Sequence, residues 1–196
     1  PYTMQKSDGI GNKMVGEMYC NYYFHQYGLK TINCRFFNSY GPGEVPGQYR
    51  NVIPNFIYWA LTDKIIPITG TGNETRDFTN VNDLVQGLIK SCYYSEAEGK
   101  AFNLASGKET SINELANIIS KKLNKKLNLE YVNSRKWDTK KRILASISLA
   151  KKTIDYKPIC NIRDNIDDNI NWFLDNFDNI RKYADFPLGM NSAVRK

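Results

Sequence analysis

The chain has 196 residues, 41% of them hydrophobic, and a formal net charge of +7 at pH 7. That length suffices for one sizeable core or two small ones, and no apolar run is long enough to cross a membrane. Four scattered cysteines and a single histidine, His25, offer no metal-ligand spacing. We therefore expect no metal site, and we predict reduced thiols in a cytoplasmic protein.

The N-terminal part predicts a helix followed by a buried strand. Residues 13–27 carry apolar side chains at helical spacing, and Gly28 is placed to end that helix. Gly9 and Gly11 disfavour a continuous helix before residue 13. The short apolar run at 31–37 predicts the strand.

The rest of the chain predicts strands that alternate with helices, which is typical of the α/β class. A loop rich in Gly and Pro comes first, at 38–47. Strands are then predicted at 65–69, 78–81, 101–105 and 127–132. Helices are predicted to begin at Asn51, at Asn82-Asp83, at Ser111 with Glu114 as its capping-box partner, and at Ser146, before final helices at 162–182.

The excess of basic residues fits either a polyanion or a small diphosphate ligand. Lys and Arg are spread along the chain, and the tightest cluster falls in a helical pattern, at Lys121, Lys122, Lys125 and Lys126. A solvated helix face explains that cluster better than a nucleic-acid site does. We therefore expect no nucleic-acid partner and keep a basic nucleic-acid-binding module as the weakest alternative.

Four segments carry a resemblance to one protein family. They are Arg35-Phe36-Phe37-Asn38-Ser39-Tyr40-Gly41-Pro42-Gly43, Asn51-Val52-Ile53-Pro54-Asn55-Phe56, Gly70-Thr71-Gly72-Asn73-Glu74-Thr75-Arg76-Asp77-Phe78 with the following Val81-Asn82-Asp83-Leu84, and Phe102-Asn103-Leu104-Ala105-Ser106-Gly107. Together they resemble the NAD-dependent epimerase/dehydratase family of extended short-chain dehydrogenases/reductases, of the UDP-glucose 4-epimerase type. Four motifs in family order over nearly the whole chain make chance a poor explanation.

The resemblance implies the C-terminal part of a Rossmann-type doubly wound fold plus a small α/β substrate-binding domain. Residues 1–50 would be a remnant of the NAD-binding Rossmann domain. Residues 51–185 would be the nucleotide-sugar-binding region with an interleaved Rossmann strand and helix, and 186–196 a loose tail.

The same resemblance implies a reaction and its partners. The parent enzyme would oxidise the sugar transiently at C4 with NAD, then epimerise, dehydrate or decarboxylate a UDP or dTDP sugar for cell-surface polysaccharide biosynthesis. Family members also form homodimers through the first helix of this chain. Four side chains of that helix could form the dimer interface or could pack inward: Met14, Met18, Tyr22 and Tyr23.

The family's chemistry uses a Tyr and a Lys four residues apart, on one face of a helix. The lysine lowers the pKa of the tyrosine, which then takes a proton from a sugar hydroxyl. Tyr2 and Lys6 fit that pair, and Lys6 would also bind the cofactor ribose. Lys13 is the alternative lysine because Lys13-Met14-Val15-Gly16-Glu17 fits the family's next segment, although Gly9 stands four residues before it.

Further site residues follow from the matched motifs. The resemblance places the cofactor against Phe37, Asn38 and Tyr40, and the sugar nucleotide against Asn38, Asn51, Val52, Arg76 and Arg142. Guanidinium groups and the amides of a helix start suit a diphosphate. Other interpretations stay open: Arg76 could pair with Asp77 or Asp83, Arg142 could be a surface helix charge, Asn38 could make an Asx-turn bond, and Asp83 could cap a helix.

The glycine-rich turn that binds a dinucleotide in this family is missing from the sequence. Gly70 and Gly72 lack the third glycine, and the chain begins without Met or a signal-peptide pattern. We therefore expect a truncated product, a fragment or one part of a split enzyme that does not bind NAD tightly alone. A non-catalytic remnant that retained the sugar-nucleotide pocket is the main alternative function.

Overall fold

A computed structural model describes residues 8–47, 50–134 and 140–184, with side chains from residue 13 onward. Its helices are α1 (Asp8–Tyr27), α2 (Val52–Leu61), α3 (Val81–Tyr93), α4 (Ile112–Lys122), α5 (Ser148–Ile154), α6 (Ile162–Asp175) and α7 (Phe177–Tyr183). Its strands are β1 (Asn33–Phe36), β2 (Ser39–Tyr40), β3 (Ile66–Thr69), β4 (Thr75–Arg76), β5 (Thr79–Asn80), β6 (Ala101–Leu104), β7 (Thr110–Ser111) and β8 (Leu129–Val132). The predicted tail at 186–196 lies outside the described residues.

Parallel pairing between strands that are distant in sequence confirms the α/β class. β1 pairs with β6, β2 with β5, and β3 with β8, all in parallel, whereas β4 and β7 are antiparallel. Parallel neighbours require crossover connections, and here helices supply them. The two-residue strands β2, β4 and β7 were not predicted, since β2 lies inside the segment expected to be a loop.

Two hydrophobic clusters hold these elements together. The larger one lies between α2, β3, α4 and α6 and includes Ile57, Ile66, Leu115 and Ile166. The smaller one surrounds β6 and α5, with Phe102 at its centre. The cavity described below is lined by residues of the elements around the larger cluster.

The first helix differs from its prediction at the N-terminal side. α1 runs without a break from Asp8, so the expectation that Gly9 and Gly11 would interrupt it is wrong. Each glycine costs a helix about 1 kcal/mol relative to alanine, which a helix of 20 residues can offset. The other end agrees with the prediction, because α1 ends at Tyr27 and Gly28 follows with φ +66°.

The predicted helix starts are correct in part. Ser111 caps α4, since its Oγ accepts a hydrogen bond from the Glu114 amide at 3.1 Å. Ser146 is not a cap: α5 begins at Ser148 after Ile147. α3 is capped by Asn80, whose Oδ1 accepts from the Asn82 amide at 2.9 Å. The prediction that Asn82-Asp83 caps α3 is therefore wrong.

Two buried aspartates act as hydrogen-bond acceptors that join distant segments. Asp77 is fully buried, and its two carboxylate oxygens accept from the amides of Ser106 and Gly107 at 2.9 and 3.0 Å and of Ala145 at 3.4 Å. Asp83 accepts from the amides of Ile159 and Cys160, both at 3.0 Å. The carboxylates thus satisfy backbone donors in loops that have no sheet partner there.

Gly41, which follows β2, lies close to Val81 at the start of α3. A Cβ added at Gly41 would lie 2.3 Å from Val81 Cγ1 and 2.9 Å from Val81 Cβ. Since the branched Val81 side chain is fixed at the helix start, we expect Gly41→Ala to lower the free energy of unfolding by about 1–3 kcal/mol. Urea denaturation would measure it, with Gly16→Ala as control because nothing lies within 4 Å of a Cβ there. Equal midpoints for the two variants would contradict this expectation.

Candidate nucleotide-sugar site

A cavity of about 270 Å³ lies between the start of α2, the end of β3, β4 and the start of α4. The side chains around it come from separate segments: Asn38, Arg50, Asn51, Val52, Phe56, Pro67, Thr69, Glu74, Arg76, Ile112, Ser134, Lys140 and Lys141. Four of these residues are cationic and one is a carboxylate. The cavity therefore favours an anionic ligand.

The cavity lining includes both apolar and charged side chains. Val52, Phe56, Pro67 and Ile112 are apolar, whereas Arg50, Arg76, Lys140 and Lys141 are positively charged. A ligand that suits both kinds of side chain has a flat or apolar group joined to an anion.

Arg76 is positioned by a short antiparallel ladder. It pairs with Thr110 of β7, and the turn before it packs against α4, where the Asn113 amide donates to Gly72 O at 2.9 Å. Gly72 has φ +76°, and a Cβ there would meet Asn113 Oδ1 at 2.0 Å. Any other residue would adopt a strained positive φ and displace the Asn113 side chain, so glycine favours the turn that precedes Arg76.

The guanidinium of Arg76 remains available to a ligand. Within the described ranges its one hydrogen bond goes from Nη1 to Thr75 O, at 2.8 Å. The alternative pairing with Asp77 or Asp83 is not observed, since both carboxylates accept backbone amides instead. A half-buried cation that has no carboxylate partner among the residues that the structure describes is suited to bind an anion.

Asn51 and Val52 bring the start of α2 to the same cavity. Asn51 precedes the helix without a side-chain cap bond, and its Nδ2 donates to Glu44 Oε1 at 2.6 Å. Burial raises the pKa of Glu44, although the bond from Asn51 works against that rise. The asparagine side chain is thus held by Glu44, and the α2 backbone amides are what this helix start can offer to an anion.

Arg142 lies outside the cavity lining. Its Nε and Nη2 donate to the two carboxylate oxygens of Glu109, each at 2.7 Å, and its backbone forms a bridge with Thr75. These bonds hold the pKa of the Glu109 carboxyl below its usual value. The interpretation of Arg142 as a surface charge on a helix is correct only in that the side chain is exposed. The segment around Arg142 is extended and not helical.

Of the described residues assigned to the cofactor, one lines the cavity and two pack in hydrophobic clusters. Asn38 lines the cavity, with φ +20° and a long hydrogen bond of 3.5 Å from Nδ2 to Asp77 O. Phe37 packs against the smaller hydrophobic cluster. Tyr40 is buried in the larger one, and this burial raises the pKa of its hydroxyl.

Comparisons with known proteins place the chain in a family. The model of the NAD dependent epimerase/dehydratase family matches residues 11–105. The UDP-glucuronate 4-epimerase of Thermodesulfobacterium geofontis is 35% identical over 170 residues, which are 86% of this chain and 51% of that protein. The solved structure of the epimerase Mth375 from Methanothermobacter thermautotrophicus is 46% identical with a TM-score of 0.86, covering 88% of this chain and 52% of that one.

The chain belongs to the NAD-dependent epimerase/dehydratase family. A further solved structure, Bordetella bronchiseptica WbmF in complex with NAD+ and UDP, is 34% identical with a TM-score of 0.74, covering 85% of this chain and 52% of that one. The chain spans about half the length of the relatives it matches. The α/β architecture is that of the C-terminal part of the family's Rossmann-type fold.

The catalytic pair of this epimerase/dehydratase chain stays a prediction. Tyr2 and Lys6 lie outside the described residues. Lys13, the alternative lysine, is exposed on α1. The four side chains considered for a dimer face are exposed on the same helix of this chain: Met14, Met18, Tyr22 and Tyr23.

The described residues do not fit a complete NAD site. Asn38 faces the cavity, but Tyr40 has 2% of its surface exposed and Phe37 packs against a hydrophobic cluster. No glycine-rich turn of the dinucleotide type occurs in the sequence. Among the described residues, Asn38 is thus the one cofactor candidate that lines the cavity.

Four charged residues in the cavity were not predicted from the sequence. Arg50 precedes Asn51 and stands next to a matched motif, so the motif could have been extended by one residue. Lys140 and Lys141 stand beside Arg142, and the basic run gave no reason to choose among its three members. Glu74 lies inside the third motif, but the expected diphosphate called for cationic groups and backbone donors, and a carboxylate is neither.

Proposed function

We propose that this chain binds the nucleotide diphosphate part of a UDP-type sugar, as the substrate-binding portion of an NAD-dependent nucleotide-sugar epimerase. The observation that carries the proposal is the single cavity shared by Asn38, Asn51, Val52 and Arg76, four of the five residues assigned to the substrate. They come from three segments far apart in sequence. Their convergence on one cavity supports a common ligand.

The charges of the cavity support a diphosphate. Four cations surround it against the one carboxylate of Glu74, and a nucleoside diphosphate sugar carries two negative charges at neutral pH. Arg76 offers planar donors that match phosphate oxygens, whereas Lys140 and Lys141 act as point charges. The apolar wall at Val52 and Phe56 suits a base.

The choice of UDP is supported by relatives. WbmF, whose solved structure holds UDP, is 34% identical, and the T. geofontis relative is named a UDP-glucuronate 4-epimerase. In this proposal the transient oxidation at sugar C4 requires the pair Tyr2 and Lys6 together with a cofactor domain; if Lys13 holds the lysine position instead, Gly9 stands where the tyrosine belongs. The domain division at residue 50 and a homodimer through α1 belong to the same proposal.

Calorimetric titration of the chain with UDP, dTDP and GDP, and with their glucose conjugates, tests the proposal. We expect binding of UDP and UDP-glucose in the micromolar to millimolar range, and weaker binding of NAD titrated in parallel. Duplex and single-stranded oligonucleotides are titrated as well, to test the alternative that the chain binds nucleic acid. Salt-sensitive oligonucleotide binding without any nucleotide binding would favour a nucleic-acid module instead.

Arg142 should contribute less than Arg76 to this binding. Its guanidinium is exposed, lies outside the cavity lining and is neutralised by the bidentate pair with Glu109. We expect Arg142→Ala to weaken UDP binding by no more than about threefold, the range typical of an exposed ion pair. A loss of tenfold or more in the same titration would show that Arg142 leaves Glu109 and contacts the ligand.

A further inference from the structure

Asn55, in the first turn of α2, forms two hydrogen bonds with one backbone residue of the preceding loop. Its Oδ1 accepts from the Gly47 amide at 2.9 Å, and its Nδ2 donates to the Gly47 carbonyl oxygen at 3.0 Å. The asparagine has only 4% of its surface exposed, and Gly47 is buried as well. Because buried backbone groups need partners, the side-chain amide of Asn55 pairs with this loop as a neighbouring strand would.

The same loop residue is bonded to a cation of the cavity. The carbonyl oxygen of Gly47 also accepts a hydrogen bond from the Arg50 amide, at 3.2 Å. Arg50 lines the cavity, whereas Asn55 lies outside its lining. Asn55 is thus connected to the cavity through Gly47 and the backbone of Arg50.

A second asparagine holds the loop one helical turn earlier. Asn51 donates from Nδ2 to Glu44 Oε1 at 2.6 Å, and residues four apart lie on the same side of a helix. The loop is therefore bonded to the start of α2 at two points, Glu44 and Gly47. The bond at Glu44 is exposed, whereas both bonds at Gly47 are buried and meet less competition from water. Asn55 therefore forms the stronger of the two connections.

We propose that Asn55 is a positioning residue that holds Arg50 at the cavity, where its guanidinium meets the anionic part of the nucleotide sugar. Asn55 does not contact the ligand itself. Without its two bonds, the loop end and the long Arg50 side chain would have to be ordered when the ligand binds, and that ordering costs affinity. The inference rests on the proposed function and adds a residue that acts behind the cavity lining.

A double-mutant cycle of Asn55→Ala and Arg50→Ala, read as UDP affinity, tests this inference. We expect Asn55→Ala to bind UDP about three- to tenfold more weakly than the wild type, the cost of ordering a long side chain. With Arg50→Ala already in place, the same change should cost less than about twofold, because the residue through which Asn55 acts is gone. Asn169→Ala, at a buried asparagine of α6 outside the cavity lining, should keep the wild-type affinity.

Asn55→Asp keeps the shape of the side chain and tests the hydrogen bonds themselves. An ionised carboxylate accepts from the Gly47 amide but cannot donate to the Gly47 carbonyl, whereas a protonated carboxyl does both. We expect this variant to bind UDP about threefold or more weakly than the wild type near pH 8, and to come within about twofold of it near pH 5. A ratio that does not change with pH would contradict the role of the Asn55 donor.

Amide hydrogen exchange without ligand checks the connection to Arg50 directly. Exchange at the Gly47 and Arg50 amides should be faster in Asn55→Ala than in the wild type, and unchanged exchange would overturn the inference. Equal UDP affinities of the wild type and Asn55→Ala, or equal losses with and without Arg50, would also overturn it and leave the proposed function standing. If the wild type bound no UDP, the proposed function would be wrong and the role of Asn55 in binding with it.

Discussion

Replacing Asp77 by asparagine is expected to destabilise the chain by about 3 kcal/mol or more, through loss of buried acceptors. Both oxygens of Asp77 accept hydrogen bonds from the backbone: Oδ1 from Ser106, and Oδ2 from Gly107 and Ala145. An asparagine amide group would place its NH2 against backbone donors in either orientation. At least one buried amide would then lose its partner while the shape of the side chain is kept.

Thermal unfolding followed by circular dichroism measures this effect. A loss of that size corresponds to a midpoint lower by roughly 6–12 °C for a chain of this length. Asp178→Asn is the matched control, because that aspartate is exposed near the start of α7. A midpoint for Asp77→Asn within 2 °C of the control would show that the Asp77 carboxylate is not needed to hold these loops, contrary to our account.

Replacing Arg76 by alanine is expected to weaken UDP binding by about 10- to 100-fold, the range for hydrogen bonds to a charged group. Arg76 is the cavity cation that the β4–β7 ladder fixes in place, and its guanidinium has no carboxylate partner among the described residues. Arg76→Lys should give an intermediate loss, because lysine keeps the charge but not the planar pair of donors.

The loss should appear in affinity and not in stability. Arg76 donates within the described ranges only to the neighbouring Thr75 carbonyl, so its removal leaves few bonds broken in the free protein. Arg163→Ala is the matched control, an exposed arginine of α6 that pairs with Glu114 away from the cavity. Wild-type affinity for UDP in the Arg76→Ala variant would remove this residue from the binding site.

Much of the fold could be predicted because local signals agree with tertiary structure. The apolar strands at Ile66–Thr69 and Ala101–Leu104 and the helix capped by Ser111 follow from hydrophobic pattern and capping chemistry. The two-residue strands β4 and β7 could not be predicted in this way. Two residues carry no periodicity, and their pairing depends on a turn that packs against α4.

The aspartates of the third motif show why a motif does not reveal a role. Asp77 and Asp83 stand close to Arg76 in sequence, and pairing with it was a reasonable alternative. The structure uses both as acceptors for amides that are about 30 to 80 residues away in sequence, which no local pattern encodes. As a consequence, neither carboxylate pairs with the guanidinium of Arg76.

The predicted substrate residues converge in part for a similar reason. Asn38 follows β1, Asn51 and Val52 stand at the start of α2, and Arg76 lies on β4, which pairs with β7; these segments meet at one cavity. Arg142 was selected from a basic run, and the sequence could not show that Glu109 binds it. Glu74 was not predicted because the sequence does not show that it lines the cavity.

The most direct test of the account is to map the site of UDP binding on the chain by nuclear magnetic resonance. Backbone amide shifts would be followed while UDP is added to isotope-labelled protein. We predict that the largest changes occur at Asn51 and Val52, at Thr69, at 74–76, at Ile112 and at Lys140 and Lys141, around the cavity. Changes confined to the lysines of α4 or to the exposed face of α1, with none around Arg76, would contradict the assignment of this cavity as the nucleotide-sugar site.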